Sequence, residues 1–164
     1  MNLVLVGMPG SGKSSVSEIL ANSLNMSVVE TDGIIVSRFG EINKIFADHG
    51  EEYFRGLESR VIAEVSLMDN AVISTGGGSI LKSENVENLK KNGKIVYLKT
   101  ELKTLVTRTL GDTSRPLLAG DCENKLRSLL NARASLYEAC ADLVVETDDI
   151  SSKEIAEKIT ELVR

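Results

Sequence analysis

The stretch "GMPGSGKSS", Gly7–Ser15, sets a lysine and two hydroxyls directly after a glycine-rich turn. It fits G-x-x-x-x-G-K-[ST], a pattern that gathers backbone N–H groups around phosphate oxygens. Gly7 and Gly12 let the chain wrap, so the N–H groups of Gly10, Ser11, Gly12, Lys13, Ser14 and Ser15 turn inward. A helix starting there adds the partial positive charge of its N-terminus. Lys13 then reaches the β- and γ-phosphates of a nucleoside triphosphate, and the Ser14 hydroxyl is placed to ligate Mg²⁺. The pattern names a phosphoryl donor and leaves the acceptor open.

Other residues bear on the acceptor. Asp32 follows the second strand-like run, and Gly76, Gly77 and Gly78 follow the third. In parallel sheets ligands sit beyond the carboxyl ends of the strands, so both belong on the rim that carries the phosphate loop. Three glycines in a row are entropically expensive; either they let a compact, hydroxyl-rich acceptor lie against the main chain, or they form a turn without chemical purpose. Arg133 shares a helical stripe with Leu126, Leu129, Leu130, Leu136 and Tyr137. A guanidinium on an apolar face demands a partner, which is either an internal carboxylate or an anionic ligand. Arg55 and Glu58, one turn apart, are either an ordinary surface pair or an arginine aimed at the pocket by its glutamate. "RTLGDTSRPLLAGD" places Arg108 and Arg115 in and beside a loop punctuated by Gly111, Pro116 and Gly120. Such a loop suits a flap, approximately 111–122, that brings Arg115 over the transferring phosphoryl group. The alternative is a solvated loop arginine.

The elements that position these residues alternate. "LVLV" at 3–6, "SVVET", "AVIST", "KIVYLKT" and "DLVVET" are apolar strand-like runs. Between them run helical stripes: Val16, Ile19, Leu20 and Leu24; then Phe54, Leu57, Val61, Val65 and Met68. Further helices are expected around 102–110, over about 123–140, and from Ser151, where Glu154 three residues on completes a capping box ahead of Ile155, Ile159, Leu162 and Val163. Apolar strands bounded by helices indicate an α/β domain with a parallel sheet covered on both faces. The 164 residues read as one domain, 1–164, with no repeat or linker.

Composition removes whole classes of function. A net charge of -5 and the absence of tryptophan argue against a nucleic-acid partner. Two cysteines without metal-ligand spacing and a single histidine, His49, disfavour a zinc site or a serine–histidine nucleophile. Nothing resembles a membrane span or a secretory leader, so a cytoplasmic protein is expected.

In order and spacing, "GMPGSGKSS", "ETD", "YFRGLES", "STGGGS", "TSRPLL" and "NARASLYEACAD" resemble the shikimate kinases nearly end to end. The resemblance implies a three-layer P-loop kinase fold: a five-stranded parallel sheet of order 2-3-1-4-5, helices on both faces and a mobile lid. It implies transfer of the ATP γ-phosphoryl group to the 3-hydroxyl of shikimate, on the route to chorismate and the aromatic amino acids, by a monomer using Mg²⁺. It further implies that Asp32 holds the ring hydroxyls and accepts the proton of the attacking one. Arg55 and Arg133 would clamp the carboxylate, and the Gly77 amide, with Gly76 and Gly78, would meet a hydroxyl. Arg115 would reach the phosphates, and Arg108 would lie along the adenine. Two departures stand out. Glu30 occupies a position where the family usually carries aspartate, adding a methylene. The run "ETDDISS" lacks the usual basic residue and proline, so no adenine contact is assigned there.

Overall fold

The computed structural model describes residues 1–109 and 121–164. Five strands, β1 (Asn2–Val6), β2 (Ser27–Glu30), β3 (Ala71–Ser74), β4 (Gly93–Lys99) and β5 (Leu143–Glu146), form one sheet of order β2-β3-β1-β4-β5. All four pairings are parallel. This is the order the resemblance implies.

Each residue of β1 is buried, and its side chains alternate between two cores. Leu3 and Leu5 join Val72, Val96, Leu98 and Val145 on one face. That face is covered by α1 (Lys13–Leu24), through Val16 and Leu20, and by α8 (Ser152–Val163), through Ile155 and Ile159. Val4 and Val6 face the other way with Ile73, Ile95 and Tyr97. There they meet α4 (Glu51–Val65), α5 (Ser83–Lys91), α6 (Leu102–Thr109) and α7 (Cys122–Cys140). Strands buried on both faces have no polar side to show, which is why the runs read as continuously apolar. The stretch between β2 and α4 forms two short helices, α2 (Thr31–Phe39) and α3 (Ile42–His49). Ser151 caps α8, its Oγ accepting from the Glu154 N–H at 3.2 Å, while the Glu154 carboxylate accepts from that hydroxyl at 3.2 Å, so only the N-cap half of the expected capping box is seen.

Three expected core positions are not core. Helix α4 stops at Val65, where the Ser66 N–H and Oγ both bond the Ile62 carbonyl; Met68 lies past that end and is exposed. Leu136 is exposed because the buried face of α7 is centred on Leu126, Arg133, Tyr137 and Cys140. In the last turn of α8, Val163 rather than Leu162 packs toward the core. Arg115 and most of the expected flap fall at 110–120, outside the described residues, whereas Cys122 already belongs to α7.

The α5–β4 joint is built without spare room. A Cβ on Gly93 would stand 2.6 Å from the Leu89 carbonyl oxygen and 3.0 Å from Val4 Cγ2. Overpacking of this kind costs about 1–3 kcal/mol. Gly93→Ala is therefore expected to lower the melting temperature by about 2–12 °C in a calorimetric scan. An unchanged transition would mean that α5 can shift freely.

Candidate active site

The phosphate loop joins β1 to α1. Gly10 (φ 86°) and Gly12 (φ 94°) adopt the left-handed backbone that a wrapped loop requires. Helix α1 begins with no side-chain cap and no acidic residue in its first turn. The N–H groups that a cap would satisfy are thus left for an anion. The ammonium of Lys13 donates to the carbonyls of Gly7 (2.8 Å) and Met8 (3.0 Å), which holds it across the loop. Ser14 and Ser15 are exposed at the start of α1. From the far side, Arg108 on α6 donates to the Ser11 carbonyl at 3.2 Å and, through its other amino group, to the Thr147 carbonyl at 3.2 Å. It thereby straddles the phosphate loop and the segment after β5.

The glycine run leaves the carboxyl end of β3, beside β1, because Leu5 pairs with Ser74. The structure gives these glycines a reason that spacing did not reveal: the protein's own charged side chains need the space. A Cβ on Gly76 would lie 2.7 Å from Asp32 Oδ1 and 3.0 Å from Glu58 Oε2. One on Gly77 would lie 3.0 Å from Pro9 Cδ and 3.3 Å from Arg133 Nη1. One on Gly78 would fall 2.3 Å from Arg55 Nη1, inside the guanidinium. The turn is where an acid, two arginines and the phosphate loop converge.

Each converging group is set by its element. Asp32 sits in the first turn of α2, where the helix dipole favours a carboxylate. Arg55 and Glu58 are not a surface pair. They are 7% and 1% exposed, and Arg55 Nη1 donates to Glu58 Oε1 at 3.0 Å, with Nη2 to Glu51 Oε1 at 3.2 Å. The second oxygen of Glu58 accepts from Ser79 Oγ at 3.2 Å, just past the glycines. Burial acts to lower the pKa of Arg55, but the charges and hydrogen bonds of Glu58 and Glu51 outweigh it and raise it, so the guanidinium stays charged. Burial pushes the Glu58 carboxyl up, Arg55 pulls it down, and nearby Asp32 adds to the rise. Arg133 is 4% exposed, and among the described residues it forms no ion pair. Of the two readings open for it, the internal carboxylate is thereby excluded among those residues.

These groups share one cleft of about 680 Å³. Gly10, Gly12, Lys13, Ser14, Ser15 and Arg108 line one end; Asp32, Arg55, Gly76, Gly77, Gly78 and Arg133 line the other. Ser11, buried beneath the loop, does not line it. Glu30 and Glu58 add carboxylates, and Val36, Ile42, Phe46 and Phe54 add an apolar wall that the spacing arguments missed. A site with one anion cradle and, adjoining it, two arginines and an aspartate lining the same cleft can bring a triphosphate against an anionic, hydroxylated acceptor.

The buried pair also bears on stability. Removing one partner of such a pair leaves the other charge uncompensated, at a cost of about 3–5 kcal/mol. Glu58→Ala is expected to destabilise by about that amount in urea denaturation. A loss near zero would mean that Glu51 alone can hold Arg55.

Comparison with known proteins agrees with this geometry. The family model described as shikimate kinase matches residues 9–164. A shikimate kinase of Caldicellulosiruptor bescii is 41% identical over 160 residues, covering 96% of this chain and 92% of its own. One of Vibrio cholerae is 40% identical over 164 residues, covering 99% and 94%. Among solved structures, the shikimate kinase from Acinetobacter baumannii in complex with shikimate superposes with a TM-score of 0.96 at 38% identity, covering 99% of this chain and 92% of that one. The chain belongs to the shikimate kinase family.

Proposed function

We propose that the chain transfers the γ-phosphoryl group of ATP to the 3-hydroxyl of shikimate, giving shikimate 3-phosphate and ADP. The observation that carries this reading is the pairing of a phosphate cradle with a buried arginine, Arg133, that has no ion pair among the described residues. Shikimate is a compact monoanion bearing three hydroxyls, and it supplies the carboxylate that the arginine needs. Arg55 takes the other side of the carboxylate; its Nε is buried with no acceptor among the described residues. A charge-assisted fork of this kind fixes orientation as well as affinity.

Asp32 orients the ring hydroxyls and takes the proton of the attacking one. Transfer of this kind is mostly positioning and charge neutralisation, so a strong base is not required. The N–H groups of Gly77 and Gly78 have no acceptor among the described residues, and they serve a hydroxyl of the acceptor. At the donor end, Lys13 and the N–H groups of the loop neutralise the phosphates, while Arg108 lies along the nucleotide. Arg115, outside the described residues, is assigned to the phosphates by resemblance alone.

The oxygen donors present suit Mg²⁺. No cluster of three or more His, Cys, Asp or Glu fit for a metal occurs among the described residues, and Mg²⁺ characteristically takes few protein ligands beside phosphates and water. Ser14 Oγ would hold it, with the carboxylates of Glu30 and Asp32 facing the same cleft. When bound, the ion neutralises charge on the β- and γ-phosphates. All the acceptor and donor groups named come from one chain, which suits a monomer. No helix among the described residues is long and apolar enough to cross a membrane, and we place the enzyme in the cytoplasm.

A coupled ADP-release assay with shikimate, gluconate and AMP as separate acceptors tests the reading. Turnover with shikimate alone is expected; turnover only with gluconate or AMP assigns a related kinase, and ATP binding without turnover a non-catalytic module. In the same assay Arg133→Ala is expected to raise KM for shikimate at least about tenfold, the loss of a charged hydrogen-bonded pair, with KM for ATP near wild type. Equal weakening of both ligands would make Arg133 a structural residue.

A further inference from the structure

The glycine turn has an obvious weakness. Three successive residues without Cβ leave the peptide planes of the turn nearly unrestrained, yet its amides are to serve the acceptor. Three of its backbone groups are tied within the turn or to the start of α2. The Gly76 N–H donates to Thr31 Oγ1 at 3.2 Å. The Gly76 carbonyl accepts from the Ser79 N–H and the Gly78 carbonyl from the Leu81 N–H, at 3.1 and 3.2 Å. The Gly77 carbonyl, in turn, accepts from a side chain on α7, the hydroxyl of Tyr137, at 2.5 Å.

Tyr137 is well placed to act as a pin. It is fully buried, and its ring stacks on Tyr97 of β4 at 5.0 Å and 23°. Its ring is therefore held between α7 and β4, with the hydroxyl at the glycine turn. It lies four residues after Arg133, on the same face of α7. A carbonyl only accepts, so the hydroxyl must donate to Gly77; its lone pairs remain for the guanidinium of Arg133, which faces the phenol oxygen. Burial pushes the phenol up to about 12, against the pull of Arg133, so the donating proton is retained.

We propose that Tyr137 is a positioning residue for the acceptor: its hydroxyl fixes the Gly77–Gly78 peptide plane and, with it, the seat of Arg133 against Gly77. The Gly77 carbonyl and the Gly78 N–H belong to one rigid plane. Holding the carbonyl toward α7 aims that N–H to the opposite side. Arg133 Nη1 stands 3.3 Å from where a Gly77 Cβ would be, so a rotated plane would also unseat the guanidinium.

This inference rests on the acceptor reading above, and the wild-type assay separates the two. If the wild-type chain does not phosphorylate shikimate, the acceptor reading falls before any variant is considered. If it does, Tyr137→Phe, which keeps the ring stack and removes one oxygen, is measured with shikimate and ATP varied separately and with its melting temperature. The expected result is a rise of about three- to tenfold in KM for shikimate, the scale of one lost hydrogen bond. KM for ATP and kcat should stay within about twofold. In an Arg133→Ala background the same change should add less than it does alone, since the part that acts through the seat of Arg133 is already lost. An unaltered KM for shikimate overturns the proposal. So does an equal rise for both substrates, a fall in kcat alone, full additivity with Arg133→Ala, or a variant that fails to fold, which assigns Tyr137 a purely structural role.

Discussion

The site depends on charges brought into van der Waals range of a backbone. Asp32, Arg55 and Arg133 press against the three glycines: a methyl group on Gly76 or Gly78 would collide with Asp32 or Arg55, and one on Gly77 would crowd Arg133. Such charges cannot remain buried without partners. Arg55 is paired with Glu58 and Glu51, and Glu58 is tied in turn to Ser79. The pairing keeps the guanidinium in place and leaves its Nε uncommitted among the described residues. In the proposed reading a carboxylate ligand completes the charge balance that the protein leaves partly open, so that the pocket discriminates for an anion without a large basic surface.

The parallel sheet supplies the frame. Because β1 lies between β3 and β4, the loop after β1 and the turn after β3 emerge side by side. Pro9 comes within 3.0 Å of the Cβ position on Gly77, so the phosphate loop and the acceptor turn touch. That contact gives the phosphate loop and the glycine turn one shared cleft. The second core, under α1 and α8, keeps the phosphate-binding helix fixed to the sheet while α2 to α4 and α7 deliver the acceptor groups from the other side.

The misread positions share a physical cause. Leu136, Leu162 and Met68 lie at the margins of helical stripes, where a shift of one residue in the buried face decides exposure. Periodicity gives the direction of a face and not its width or its end. The Arg55–Glu58 spacing was legible, but a three-residue interval looks the same on a wet surface as in a buried cluster. Tyr137 was legible as a stripe residue; that its hydroxyl would meet a carbonyl after β3 was not.

What the amino-acid order determined by itself is what short-range geometry dictates: the left-handed glycines of the phosphate loop, the helix that follows, the alternation of buried strands and helices, and an arginine on an apolar face that needed an anion. Those features depend on neighbours within a turn or two, so they are written locally. The tertiary structure alone decided that Arg133 forms no ion pair among the described residues, that Arg55 and Glu58 are buried together, and that Gly76, Gly77 and Gly78 each make room for a different side chain. Those outcomes arise where elements remote in sequence meet, and steric exclusion at such a meeting point has no signature in the spacing of any one segment.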